Sequence, residues 1–461
     1  MSDPCFLSAT SQAQLLNQGD ISAAELLDIH LNRIDAVNPE INAIVTECRG
    51  LARNQALASD ARRASGDTYS ALDGLPIAIK DKFDVAGVRS TQGSPALADH
   101  VPEHDDLIVS RERAAGMVFL GKTNVPEFSF GGQTTNPVFG LTRNPYDHNV
   151  STSGSSGGSA SALAAGLTAL ANGSDIAGSL RAPAAWCNVV GFRPTPGRIP
   201  VTRGNNVWEE FSVHGPMART VNDALLYMTA VAGPSDRAPI SVHSQLGNTL
   251  DRSWRSARLA WSMDLATGDD AGITLDPAMR AVVERARPVF TQLGATIIDE
   301  CPRGHAEVTR VLFNYKCLAA LSRLGDLVDT KPDLVKPLIH DLIARARCFS
   351  ADDVIKFDKT RTAIWHRTAA FFVNHDYLIW PVSPCNPVPL SDDDLPLDWG
   401  MLDLQALVGL PAISVPCGFS DDGHPVGVQI TGKRGDDLGV IQLAHAFERE
   451  TQYWKQRPPG M

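Results

Sequence analysis

Apolar residues recur at helical spacing near the start of the chain, where Leu26, Leu27, Ile29, Leu31 and Ile34 follow Ser22-Ala23-Ala24-Glu25. That tetrapeptide is a capping box, in which the serine oxygen and the glutamate carboxylate satisfy backbone donors left orphaned at a helix start. The pattern predicts a helix that Asn38-Pro39 brings to a stop. From Leu75 the period changes. Residues 75–79 form a short apolar run ending in Lys80-Asp81, and residues 117–120 form another ending in Gly121-Lys122, with a helix predicted over 105–115 between them. Further strands are expected at 258–261, 295–298, 377–380, 412–415 and 426–430, and a closing helix at 438–450. Short buried strands alternating with helices predict an α/β fold: one large α/β/α domain over 1–461, with a central mixed sheet covered by helices on both faces. No repeat or composition break marks a boundary. Residues 234–357 are less patterned and richer in charge, with helical pieces at 277–293 and 336–347, and read as an elaboration packed on the sheet. Arg345 and Arg347 read there as a solvated face.

Charge removes several function classes. The 41 Lys and Arg against 52 Asp and Glu give a net charge of −11 without any basic run, so no nucleic-acid partner is expected. The eight cysteines are scattered, with no Cys-x-x-Cys and no zinc-finger spacing, which reads as free thiols in a reducing compartment. Residues 1–14 lack a basic segment followed by an apolar one, and no apolar run reaches the ~18–20 residues of a membrane span. A cytoplasmic protein with no membrane partner is expected, and a homodimer is compatible with the sequence. No His-Glu-x-x-His, P-loop or EF-hand pattern is present, so no cofactor or metal is expected; the acidic run Asp392-Asp393-Asp394 reads as a solvated loop.

The most unusual segment is Ser151-Thr152-Ser153-Gly154-Ser155-Ser156-Gly157-Gly158-Ser159, followed by an Ala-rich run over 160–167 that predicts a closely packed helix. Anchoring by a buried helix argues against a flexible linker. Residues 154–158 formally fit Gly-x-Ser-x-Gly, the nucleophile elbow, but that motif needs a strand directly before it, and Asn144-Pro145-Tyr146-Asp147-His148-Asn149 is loop chemistry. The next stretch, Gly173-Ser174-Asp175-Ile176-Ala177-Gly178-Ser179-Leu180-Arg181-Ala182-Pro183, changes the picture.

Taken together with Asp73-Gly74-Leu75-Pro76-Ile77-Ala78-Ile79-Lys80-Asp81, Gly121-Lys122-Thr123-Asn124 and Gly191-Phe192-Arg193-Pro194, the chain resembles the amidase signature family. Gly409-Leu410-Pro411 and Gly427-Val428-Gln429 extend the likeness towards the C-terminus, and the central third is the unmatched part. The resemblance implies a Ser–cis-Ser–Lys triad: Ser179 as nucleophile, Ser155 as proton relay and Lys80 as base. The residue types suit these roles. A serine hydroxyl needs a neighbouring base, and a lysine serves as one when desolvation lowers its pKa from near 10.4. A hydroxyl both donates and accepts, as a relay must.

The turn Ile176-Ala177-Gly178-Ser179 is expected to offer backbone N–H groups to an oxyanion. The family usually has Gly-Gly-Ser where this chain has Ala177-Gly178-Ser179, and glycine where it has Ser153. Ser156, Ser174, Asp175 and Arg181 are expected to support the site, the last two as a charge pair shaping the loop. Ser159 and Lys122 read as scaffold. Residues 70–220 would hold the catalytic core, and 234–357 a variable substrate-pocket elaboration. Trp208, Phe211, Tyr315, Phe349, Trp365 and Trp399 are candidates to line the pocket.

The function implied is an amidohydrolase acting on a small-molecule amide or carbamate through a serine acyl-enzyme. A glutaminase subunit of a tRNA-dependent amidotransferase is the alternative enzyme, although Ala182-Pro183 stands where such subunits usually carry Gln-Pro. A binding protein with a dead site is the alternative of another class.

Overall fold

The computed structural model describes residues 3–204, 206–267, 272–390 and 400–461. Its centre is a mixed sheet of eleven strands among the described residues. From edge to edge the order is Ile44–Glu47, Val118–Thr123, Pro76–Lys80, Leu170–Asp175, Val213–Ala218, Val190–Arg193, Ala412–Phe419, Pro425–Gly432, Tyr377–Pro381, Arg258–Trp261 and Thr296–Asp299. Pro76–Lys80 runs parallel to both of its neighbours, whereas Val213–Ala218 is antiparallel to both of its own. Every residue of Pro76–Lys80 and Leu170–Asp175 is buried; the first reads as a short apolar run, whereas the second, carrying Asn172, Ser174 and Asp175, is not among the expected strands.

The helix at the start of the chain has both halves of its capping box, but it runs Ala23–Ile41 and keeps Pro39 inside. Pro39 falls in the last turn, where the missing N–H removes a single bond, and the left-handed Asn42 closes the helix by donating to the Asn38 carbonyl. The helix after the Gly/Ser run begins earlier than its alanines suggest, at Gly157–Ala164, and all eight residues are buried. Gly158 shows why the run is glycine-rich: a Cβ there would lie 2.4 Å from the Asn124 backbone nitrogen.

The stretch read as an elaboration packed on the sheet also extends it, because Arg258–Trp261 and Thr296–Asp299 form the far edge. It also holds the 26-residue helix His305–Thr330, and the 24-residue helix Ala351–Asn374 starts inside it; the sequence pattern does not announce either. His305–Thr330 buries Val308, Val311 and Leu312 in the main core and Cys317, Ala320 and Leu324 in a second cluster with Ile339 and Ile343, so it has no single apolar stripe. No helix among the described residues is long and apolar enough to cross a membrane, and no group of metal-binding side chains occurs among them. Asp392-Asp393-Asp394 and Trp399 lie outside the described residues.

Candidate active site

Lys80 ends a fully buried strand, and its side chain has no exposed surface. Its Nζ donates to Ser155 Oγ at 2.7 Å, Ser156 Oγ at 2.8 Å and Ser174 Oγ at 3.1 Å. All three partners are hydroxyls. A hydroxyl can reverse its role, so the amine is satisfied with three protons or with two and a lone pair. Burial, reinforced by the charge of Lys82, holds the Lys80 amine well below the ordinary lysine range, with Asp175 pulling the other way. The peptide bond between Gly154 and Ser155 is cis.

Ser179 stands in the turn between the strand Leu170–Asp175 and the helix Arg181–Trp186, and it is half-buried where Ser155 is buried. Its carbonyl accepts from the Ser156 N–H at 3.2 Å, so the loop bearing the proposed nucleophile is tied to the loop bearing the relay. Ser156 and Ser174, expected to support the site, both accept from the lysine nitrogen itself. Ser156, the residue a nucleophile elbow would use, is fully buried against Lys80, and the hairpin strand Asp147–Ser151 before it lies outside the main sheet.

Asp175 organises the turn. Its carboxylate accepts from the N–H groups of Gly178 at 2.8 Å and Leu180 at 3.2 Å, from Arg181 Nε at 3.1 Å and from Arg193 Nη1 at 3.2 Å. Arg181 continues to Gln429 Oε1 and the Leu402 carbonyl, each at 2.9 Å. Burial alone would raise the Asp175 carboxyl, but the two guanidiniums and the Gly178 N–H outweigh it and hold the group well below the carboxylate range. Burial in turn pulls Arg193 down to about 10 although Asp175 opposes it.

One of the four N–H groups expected to face an oxyanion already has a partner. The Gly178 N–H donates to Asp175 Oδ1. Gly178 takes φ +102°, and a Cβ there would lie 2.1 Å from Leu402 Cδ1, so this is the position that requires glycine. Ala177 has no positive φ and carries no backbone strain. Ser153 does stand at φ +61°, which accounts for the family's glycine at that position.

Several residues at the site are not evident from the sequence. Arg193 has one signal, a charge at the end of a buried strand. Asn172 accepts the Lys80 N–H through Oδ1 at 2.7 Å and donates to Glu112 Oε1 at 2.8 Å. Glu112 also accepts from Tyr227, is fully buried, and has no partner for Oε2 among the described residues. Burial pushes its carboxyl up to about 8 from 4.5. Between those values the folded protein holds a proton that the unfolded chain has released. This contribution is therefore full below about pH 4.5 and is lost as pH rises through about 8. Glu112→Gln should gain stability relative to wild type by on the order of 3 kcal/mol between pH 5 and pH 8, read by urea unfolding at both values. A constant difference between the two proteins would contradict a protonated Glu112.

Lys122 is structural, as expected, donating to Asp81 Oδ1, the Phe83 carbonyl and Ser90 Oγ, each at 2.8 Å. Ser159 donates to the Asn172 carbonyl at 2.9 Å and is likewise scaffold. A cavity of about 600 Å³ lies on the Lys82 side of Lys80, and Lys80, Ser155 and Ser179 are not among the residues that line it. Its wall includes Lys82, two residues beyond Lys80, and His214, which pairs with Ser174 across the sheet. Of the expected pocket aromatics, Trp208, Phe211 and Tyr315 line this cavity, whereas Phe349 packs on Phe357 and Trp365 on the main core.

Comparison with known proteins places the whole chain in one family. The amidase family model matches residues 25–441. The chain is 33% identical to an acylamidase of Rhodococcus erythropolis over 99% of its own length and 97% of that protein's. It is 34% identical to a glutamyl-tRNA(Gln) amidotransferase subunit of Moorella thermoacetica over 98% of each chain. Among solved structures, a bacterial aryl acylamidase of the amidase signature family superposes with a TM-score of 0.91 at 28% identity, covering 99% of both chains. With a family match over most of the sequence and relatives a third identical along nearly all of it, this chain belongs to the amidase signature family of hydrolases.

Proposed function

We propose that the chain is a free-standing amidohydrolase that cleaves the C–N bond of small aryl or alkyl amides, with carbamates and esters open to the same chemistry. Ser179 Oγ attacks the carbonyl carbon while its proton passes to Ser155, whose own proton passes to the neutral Lys80 amine. The N–H groups of Ile176, Ala177 and Ser179 hold the oxyanion. Lys80 then returns a proton through Ser155 to the departing amine, and water releases the acyl group by the same relay. The observation that carries this reading is the Lys80 nitrogen, buried, bonded to hydroxyls alone and shifted towards neutrality.

The test is the pH dependence of kcat/KM on an anilide. The active form holds Lys80 unprotonated, so the rate rises with pH and levels off at a midpoint well below the ordinary lysine value near 10.4. Lys80→Arg, which stays protonated throughout, should lose about 10³-fold or more and the acid limb with it. An unchanged profile in that variant would remove Lys80 as the base.

The relatives named as amidotransferase subunits support a second reading, a glutaminase that works with partner chains. Ammonia release from glutamine that requires an added partner, with no turnover of anilides, would favour it. The higher TM-score to the aryl acylamidase, 0.91 against 0.78 for the glutamyl-tRNA(Gln) amidotransferase subunit of Thermotoga maritima, supports the first.

A further inference from the structure

The cavity near Lys80 carries three cationic side chains and three carboxylates on its wall, but not all of them are paired. One cation is neutralised: Arg203 is paired with Asp84 and with Asp106. The other two, Lys82 and Arg323, have no carboxylate at ion-pair distance among the described residues. Lys82 Nζ donates to Ser212 Oγ at 3.2 Å, and the Arg323 guanidinium lies 5.5 Å from the centroid of the Phe130 ring. Glu209 is the remaining carboxylate on the wall, and it accepts the Ser212 N–H at 2.7 Å without pairing to either cation.

Both cations are half-buried, and the Glu209 carboxylate offsets their charge only through its field, without a direct ion pair to either. Burial, then the field of Arg323, pulls Lys82 down to about 7, and burial lowers Arg323 as well. The uncharged part of the wall is mixed, with Gln92, Asn206 and Ser322 beside an apolar and aromatic portion that includes Phe128, Phe211, Tyr315 and Leu318. The cavity adjoins the chemistry, because Lys82 follows Lys80 by two residues, and Phe83 meets His214 edge-on at 4.7 Å, opposite the Ser174 that holds Lys80.

We propose that this cavity recognises a carboxylate carried by the amide substrate, held by Lys82 and Arg323, with an aryl or alkyl spacer against Phe128, Phe211 and Tyr315. The planar guanidinium fork matches a carboxylate in two bonds, and the lysine adds a point charge. The proposal rests on the amidohydrolase reading and narrows its substrates to acidic amides.

Binding tests it separately from turnover. Ser179→Ala protein is titrated calorimetrically with two matched pairs: N-phenylsuccinamic acid against butyranilide, and 4-acetamidobenzoate against 4-methylacetanilide. The first pair places the carboxylate on the acyl side and the second on the amine side. In at least one pair the carboxylate should bind at least tenfold tighter than its neutral partner. Arg323→Met and Lys82→Met, each in the same background, should cut that ratio at least fivefold. Carboxylates that bind no tighter than the neutral amides in both pairs, or not at all, overturn the proposal, as does a ratio that survives in both variants. Ser179-dependent hydrolysis of the neutral amides by wild-type protein, measured alongside, shows whether the amidohydrolase reading stands when this one falls.

Discussion

Ser179→Ala is expected to lower kcat on an anilide by at least about 10⁴-fold, the scale set by removing a serine nucleophile from a preorganised site. The loss should come without unfolding. Ser179 is half-buried, and its tie to the relay loop runs through its backbone carbonyl, which alanine keeps. Thermal unfolding should therefore stay close to wild type, since deleting one partly exposed hydroxyl meets none of the mechanisms that destabilise strongly. A serine-reactive phosphonate should label wild-type protein at Ser179 and leave the variant unlabelled. Residual turnover at the wild-type rate would place the nucleophile elsewhere, and an unlabelled wild type would favour a dead site.

Asp175→Asn is expected to destabilise the fold by about 3 kcal/mol or more at pH 7, because the isosteric amide leaves Arg181 and Arg193 buried against a neutral group. It also places an amide N–H₂ where the Gly178 and Leu180 N–H groups need two acceptors, so the turn before and after Ser179 loosens and kcat falls with stability. The acid limb identifies the cause. Asp175 is held below its ordinary value of 3.8, so its contribution is complete above about pH 4 and is lost as pH falls further. Urea unfolding from pH 7 down to pH 3 should show that loss in wild type and a flatter dependence in the variant. Equal slopes would mean that the charge on Asp175 does not organise the turn.

Sequence reading finds elements whose cause is local. The capping box at Ser22 and Glu25, the apolar run ending in Lys80 and the strand at Arg258–Trp261 stand where their patterns put them. Lys80 is legible because a charge closing an apolar strand needs an explanation, and the Gly/Ser run because it precedes a helix of small residues. What stays hidden depends on neighbours distant in the chain. Glu112 sits in a short helix of ordinary charged composition, and only the sheet shows that it lies under Asn172 and Tyr227. Spacing alone does not reveal that Asp175 takes the Gly178 N–H, since that depends on how the turn folds back on the strand. The helix His305–Thr330 escapes because two cores divide its apolar residues.

That helix serves two apolar clusters and the cavity at once. One side supplies Tyr315, Leu318 and Arg323 to the cavity, while another packs on Pro337–Arg347 in an apolar cluster of their own. The residues that hold Lys80, Ser155 and Ser179 come from strands and loops at the other end of the chain. The helix therefore builds one side of the cavity while Lys82, Phe128 and Phe211, from the part of the chain that bears Lys80, build the other, so exchanging residues 305–347 with those of a relative would replace only part of that lining and leave the Lys80 side as it is.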